Sequence, residues 1–364
     1  MDTASSSEPR IPVTLLTGFL GSGKTTLLNH WLRDPALADA AVIVNEFGEI
    51  GIDHALIASS NDHTIELSTG CLCCTVQGDL VETLRELRSK RSNGSIPAFN
   101  RILIETTGMA DVVPVIQALM TFPVACSFRL NRVLTVVDAV NGLATLAAHP
   151  EAVKQVAVAD ALLVTKTDLP GAQGAILEDT LARINPAAAR IASGSPARPD
   201  AAVLDGPDVY DAAARPELAR QWLNAAMYAT SHDEEGTGDA EHGYGFGHRP
   251  AYSHGHARIE SFCLSFDQPF EWLQVSAWLD ALVMAHPDEL LRVKGILHVA
   301  GHQRPIVVQA VQRLFHPPAE LPAGTDVDRR SQIVFITNGL SRDYVLQVWN
   351  TVRERASLPA ARTA

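Results

Sequence analysis

The chain has 364 residues, 46% of them hydrophobic and 19% charged, and a formal net charge of −12. It is long enough for two cored domains, and its acidity argues against a general binder of nucleic acid or anionic membrane, because phosphate-rich surfaces attract basic ones. No apolar run approaches the ~18 residues of a membrane helix. Three of the five cysteines are clustered and Cys126 and Cys263 lie far apart in apolar surroundings, a pattern that suggests metal or redox chemistry over a disulfide framework.

Residues 1–10 are polar without an apolar core, so they are expected to form a disordered leader on a cytoplasmic protein and not a signal peptide. From 11 to about 200, apolar strand-like runs alternate with helical stretches, within a domain expected to span 11–228. The runs are IPVTLLTG, AAVIVNEFG, HTIELS, RILIETTG, RVLTVVDA and ALLVTKTDL, and a helix is expected over 78–91. Several runs are apolar almost throughout, as parallel strands buried on both faces are. The pattern predicts a doubly wound, mostly parallel α/β domain with ligands at the carboxyl ends of its strands.

The first strand leads into TGFLGSGKTT, which contains Gly18-x-x-x-x-Gly23-Lys24-Thr25 between a strand and a helix. The glycines allow the backbone of Gly18, Gly21, Ser22 and Gly23 to curl its N–H groups toward an anion. The helix N-terminus through Thr25 and Thr26 adds partial positive charge. Lys24 is expected to neutralise the β- and γ-phosphates, and Thr25 to offer its hydroxyl to Mg²⁺.

After the second strand, VNEFGEIGID (44–53) carries Glu46, Glu49 and Asp53. Glu46 or Glu49 could complete a metal shell or orient the attacking water, and both roles remain open. LSTGCLCCTV (67–76) then places Cys71, Cys73 and Cys74 where their thiolates could hold one Zn²⁺, or Co²⁺, which thiolates also accept. Three ligands from one short stretch differ from the paired C-x₂-C knuckles of closed sites. They leave a fourth position open, which suits a metal that must leave again.

LIETTG puts Glu105 and Gly108 at a strand end with E-x-x-G spacing. Glu105 is expected in the magnesium shell and the Gly108 amide near the γ-phosphate. TKTD follows the strand ALLV; there Asp168 can accept from the two donors on guanine's edge, which adenine lacks, while the stem of Lys166 packs on the base. Thr165 stands where such loops carry Asn, so base preference stays open.

Residues 229–257 are rich in Gly, His and acids and read as a mobile linker. Its imidazoles, His254 and His256 among them, can catch borderline metals weakly. A smaller α+β module is expected over 258–358, mostly antiparallel, with helices over 269–284 and 341–355. Trp272, Trp278 and Trp349 are expected to pack in or on its core. Arg292, Lys294 and His298 in RVKGILHVAG read more simply as fold determinants than as partner contacts.

Taken together, GFLGSGKTT, VNEFGEIGID, CLCC, ETTG, TKTD, the histidine-rich linker and VKGILHVAG resemble the CobW-type family of P-loop GTPases, metal chaperones or insertases, over residues 11–356. The resemblance implies GTP/GDP as nucleotide, a client metalloprotein as partner, and a 44–53 loop that moves with nucleotide state. Hydrolysis is expected to be slow until a client or second protomer completes the site, since no arginine finger or switch glutamine is evident. Two rivals stay open: a P-loop enzyme of small-molecule metabolism with structural cysteines, and a passive metal-binding module.

Overall fold

A computed structural model describes residues 9–44, 64–66, 75–194, 198–205, 223–228, 252–254, 257–322 and 329–357. By contacts the chain divides into two compact units. One comprises residues 1–142, 159–172 and 189–210; the other comprises 143–158, 173–188 and 211–364.

The first unit is built on seven parallel strands. They are β1 (Ile11–Gly18), β2 (Ala40–Val44), β3 (Thr64–Glu66), β4 (Arg101–Glu105), β5 (Phe128–Asp138), β6 (Ala161–Thr165) and β7 (Ala189–Ser193), in the order β3-β2-β4-β1-β5-β6-β7. Every pairing is parallel. The apolar runs explain this, because residues of both parities are buried. Leu16, Val42, Leu103, Leu134 and Leu163 pack with Leu27, Leu28 and Trp31 of α1 (Lys24–Trp31) and with Val203 and Leu204. Val13, Leu15, Ile43, Ile102 and Ile104 on the opposite parity are equally buried. Helices α2 (Thr75–Ser92) and α3 (Val113–Met120) pack on each other, α2 burying Leu80, Leu84 and Leu87. The chain runs outward from β1 on one side and then crosses to β5 on the other, so β1 marks the switch point of the sheet. Ligands of such sheets bind there, at the carboxyl ends. Strand β7 lies beyond the six runs expected from sequence; most of its residues are exposed or half-buried, so it carries less of the apolar signal.

In the second unit, β9 (Ala257–Phe266), β10 (Leu290–Leu297), β11 (Ile306–Val311), β12 (Leu314–Phe315) and β14 (Ser331–Asn338) form an antiparallel sheet. Strand β8 (Tyr252–His254) joins its edge and β13 (Ala319–Glu320) pairs with β11. Strands β11 and β12 form a hairpin that turns through Gln312 at φ 50°. Helices α7 (Trp272–Ala285) and α8 (Arg342–Ser357) cover one face. Between them Trp278 is fully buried and donates from Nε1 to the Val345 carbonyl at 3.1 Å, with its ring centroid 5.2 Å from that of Trp349. Trp272 is partly buried against the same core, as expected of all three tryptophans.

The opposite face is buried as well, and Ser261, Arg292, Lys294 and Gln309 lie on it among Cys263, Val334 and Ile336. Arg292 donates to the Val158 carbonyl at the end of α5 (Pro150–Val158), and Ser261 Oγ donates to Arg183 O in α6 (Gly174–Ile184) at 3.1 Å. Burial of Arg292 and Lys294 supports their reading as fold determinants. A short helix α4 (Gly142–Ala148) precedes α5. Cys263 is buried and its thiol is pushed up to about 12 by that burial, so it is inert at neutral pH, whereas Cys126 is exposed, contrary to its apolar neighbourhood in the sequence. The 229–257 segment, read as linker throughout, contributes β8, whose His254 pairs in register with Ala257.

Candidate functional site

Five strands of the parallel sheet end on polar or glycine residues along one edge: Gly18, Glu105, Asp138, Thr165 and Ser193. Between β1 and α1 the loop turns through three glycines with positive φ, Gly18 at 139°, Gly21 at 70° and Gly23 at 100°. At Gly18 a Cβ would sit 2.3 Å from the Val136 carbonyl, so a side chain there would displace β5. Lys24, 8% exposed, turns its ammonium back over the loop, donating to Gly18 O at 2.9 Å and Phe19 O at 3.2 Å. Thr25 Oγ1 donates to Glu105 Oε1 at 2.7 Å, which brings together two residues eighty positions apart that the sequence assigned to one ion. Their hydroxyl and carboxylate oxygens are the hard donors that Mg²⁺ takes, so the pair fits that ion.

The E-x-x-G turn is fastened to the loop. Thr106 Oγ1 donates to Thr17 Oγ1 at 2.8 Å and its amide to Leu16 O at 3.0 Å. Gly108 then approaches Leu20 so closely that a Cβ would lie 2.5 Å from the Leu20 nitrogen. Phosphate loop and turn thus share one contact with no room between them.

A cavity of about 200 Å³ opens beside the loop. Ser22, Gly23, Thr26 and Leu27 form one side and Thr165, Lys166, Asp168 and Leu169 another. Ser193, Gly194 and Arg198 close the rim. Ser22 is 2% exposed, and its hydroxyl has no hydrogen-bond partner among the described residues. Thr165 Oγ1 donates to the Ser22 carbonyl at 2.6 Å, with the Val137 carbonyl at 3.3 Å, so the threonine itself braces the phosphate loop. Lys166, at φ 58°, donates to Gly21 O at 2.8 Å and to Asp138 Oδ2 at 2.6 Å. Burial opposes ionisation of Asp138. Hydrogen bonds from Lys166, the Asn141 and Val140 amides and the Asn141 side chain outweigh it and hold the carboxyl below its usual range.

Sequence reasoning passed over Asp138, Ser193, Gly194 and Arg198. Asp138 carried a legible signal, a carboxylate closing an apolar strand, the same signal that singled out Glu105. The other three follow a weakly apolar strand and carry no motif. At Gly194 a Cβ would lie 2.6 Å from Thr167 Oγ1 and 3.1 Å from Asp168 Oδ1, so a side chain there would press on the TKTD loop.

Glu46, Glu49, Asp53, Cys71, Cys73, Cys74 and His256 lie outside the described residues, as does the side chain of His254. Among the described residues no three His, Cys, Asp or Glu side chains gather to hold a metal ion, and no helix is long and apolar enough to cross a membrane.

Residues 12–192 match the model of the CobW/HypB/UreG nucleotide-binding domain, and 259–353 match that of the cobalamin synthesis protein CobW C-terminal domain. The chain is 34% identical to the zinc chaperone YjiA of Escherichia coli over 90% of its own length and 93% of that protein. It is 31% identical to the zinc chaperone CobW of Pseudomonas aeruginosa over 92% of its length and 89% of that protein. Among solved structures, the Zn(II)-bound YjiA GTPase from E. coli superposes with a TM-score of 0.65 at 28% identity, covering 95% of this chain and 100% of that one.

Proposed function

The chain belongs to the CobW/HypB/UreG family, and from that premise we propose that it is a cytoplasmic, Mg²⁺-dependent GTPase that carries zinc on Cys71, Cys73 and Cys74 and passes it to a client metalloprotein. The observation that carries the reading is the strand-end array. Lys24, Thr25 and Glu105 gather at the phosphate-binding loop, and beside them Ser22, Gly23 and Thr26 of the loop line a cavity with Lys166 and Asp168. That arrangement suits a nucleoside triphosphate laid along the loop.

Each residue has a task in this reading. The backbone N–H groups from Gly18 to Thr26 cradle the phosphates, and Lys24 leaves its carbonyl partners for the β- and γ-oxygens. Thr25 and Glu105 would hold a magnesium ion, which when bound would supply charge neutralisation at the phosphates. Gly108, in contact with Leu20, reports on the γ-phosphate. Asp168 accepts from guanine's N1–H and exocyclic amine, and Ser22, its buried hydroxyl without a partner among the described residues, is ready for a ligand oxygen. Glu46 or Glu49 orients water or joins the zinc shell, and a client or second protomer completes the catalytic site.

Zinc is cargo. Relatives named as zinc chaperones, and a neighbour solved with Zn(II), support it as the metal in preference to cobalt. His254 and His256 serve at most as weak auxiliary ligands on the way to the thiolates. The test is elemental analysis of purified protein combined with GTP and ATP turnover, for the wild type and for C71S/C73S/C74S. The wild type should hold zinc and hydrolyse GTP in preference to ATP without an acceptor substrate. The triple variant should lose the zinc and keep basal hydrolysis. A metal-free wild type, or turnover that requires an acceptor, would overturn the proposal.

A further inference from the structure

The rim of the nucleotide cavity holds a residue that no motif singled out. Arg198 is exposed, lines the cavity with Asp168, Lys166 and Gly194, and has no hydrogen bond or ion pair among the described residues. The backbone just beyond it is anchored with unusual thoroughness. Trp31 Nε1, from the buried end of α1, donates to the Pro199 carbonyl at 2.9 Å. The Arg132 guanidinium donates to Val203 O, Asn131 Nδ2 donates to Leu204 O at 3.1 Å, and Arg101 pairs with Asp205 at 2.7 Å. Ala201, Val203 and Leu204 also enter the core beside α1. A segment this well fixed presents its first side chain from a defined point at the cavity mouth.

The chemistry of the surroundings says what that side chain meets. Lys24, Thr25 and Glu105 do not line this cavity, whereas Asp168, Ser193 and Gly194 line it together with Arg198, around the place of the base. The Lys166 stem and the Arg198 guanidinium both line the cavity, and the planar guanidinium is suited to stacking on a purine.

We propose that Arg198 is a base-capping residue, its guanidinium closing the cavity by stacking on the purine of the bound nucleotide. This rests on the nucleotide-binding reading above. A planar cation gripping an aromatic face should tighten binding by about 3- to 30-fold. The gain should be equal for ligands with different numbers of phosphates, and it should need the plane as well as the charge.

The test is titration of the full chain with GDP and with GMP, for wild type, R198A and R198K. R198A should weaken both ligands by the same factor, and R198K, which keeps charge but loses the plane, should bind as weakly as R198A. Three outcomes overturn the proposal: wild-type affinity in R198A, restored affinity in R198K, or a loss for GDP that GMP does not share. The last two would make Arg198 a phosphate contact. A wild type that binds neither nucleotide would instead remove the underlying reading, before any variant is compared.

Discussion

Replacing Asp138 by Asn tests the wiring behind the nucleotide cavity. The amide keeps an oxygen for the Val140 and Asn141 N–H groups, which Asp138 Oδ1 accepts at 2.7 and 3.1 Å, but turns an NH₂ toward the Lys166 ammonium that now lies 2.6 Å from Oδ2. A charge-assisted hydrogen bond contributes ~1.5–3 kcal/mol. Lys166 is 34% exposed, so solvent screening brings the expected loss to about 1–2 kcal/mol. Because the folded carboxyl lies below its unfolded value of about 3.9, its stabilisation is full above that value and is lost as pH falls through the lowered folded one. Thermal or urea unfolding should therefore show D138N less stable than wild type by a constant amount from pH 7 to about pH 5, the gap closing below about pH 4. In a cycle with K166M the two losses should be non-additive by about 1 kcal/mol. Strictly additive losses, or a gap that widens in acid, would refute the pairing.

T165V removes the hydroxyl that braces the phosphate loop and leaves the buried Ser22 carbonyl without that donor. Stability should fall by about 1–3 kcal/mol with weaker GDP binding, while T165S should restore most of both, as read by calorimetry and titration. G194A forces a methyl against Thr167 and Asp168, so GDP affinity should drop by at least about tenfold while thermal stability changes by about 1–3 kcal/mol. G108A drives a Cβ into the Leu20 backbone; GTP turnover should fall at least about tenfold, and a variant that hydrolyses GTP normally would break the link drawn between loop and turn. In the antiparallel unit, W278A empties a fully buried site among Phe266, Phe335 and Trp349 and should cost about 3–5 kcal/mol in denaturant titration.

What could be read in advance depended on how local the physics was. The glycine-lysine-threonine loop, the apolar parallel strands and the tryptophan core are encoded in short windows, by φ preference, double-faced burial and side-chain volume. All of them stand where the pattern placed them. Three features escaped because they join distant segments. Strand β7 is carried by its pairing with β6, not by an apolar run of its own. Strand β8 draws residues 252–254 out of a stretch whose composition promised only linker, because the exposed edge of β9 offers a ladder to any extended segment. Arg198 owes its position to Trp31, Asn131, Arg132 and Arg101, none of which neighbours it in sequence.

Thr165 shows how a departure from pattern resolves once its partner is known. Read alone, a threonine where such loops carry asparagine leaves the base preference open, because a carboxamide can both brace the loop and donate to the purine. In the fold the bracing survives: a hydroxyl 2.6 Å from the Ser22 carbonyl ties the end of β6 to the phosphate loop as a carboxamide could. That hydroxyl has a single proton, and the Ser22 carbonyl takes it. Nothing is left to donate to a purine nitrogen. Bracing and base reading are therefore divided between two residues. Under the proposed function, discrimination of guanine from adenine falls to Asp168 and overall grip to its neighbours, and a planar cation on the open side of the cavity compensates for the contact that threonine does not make.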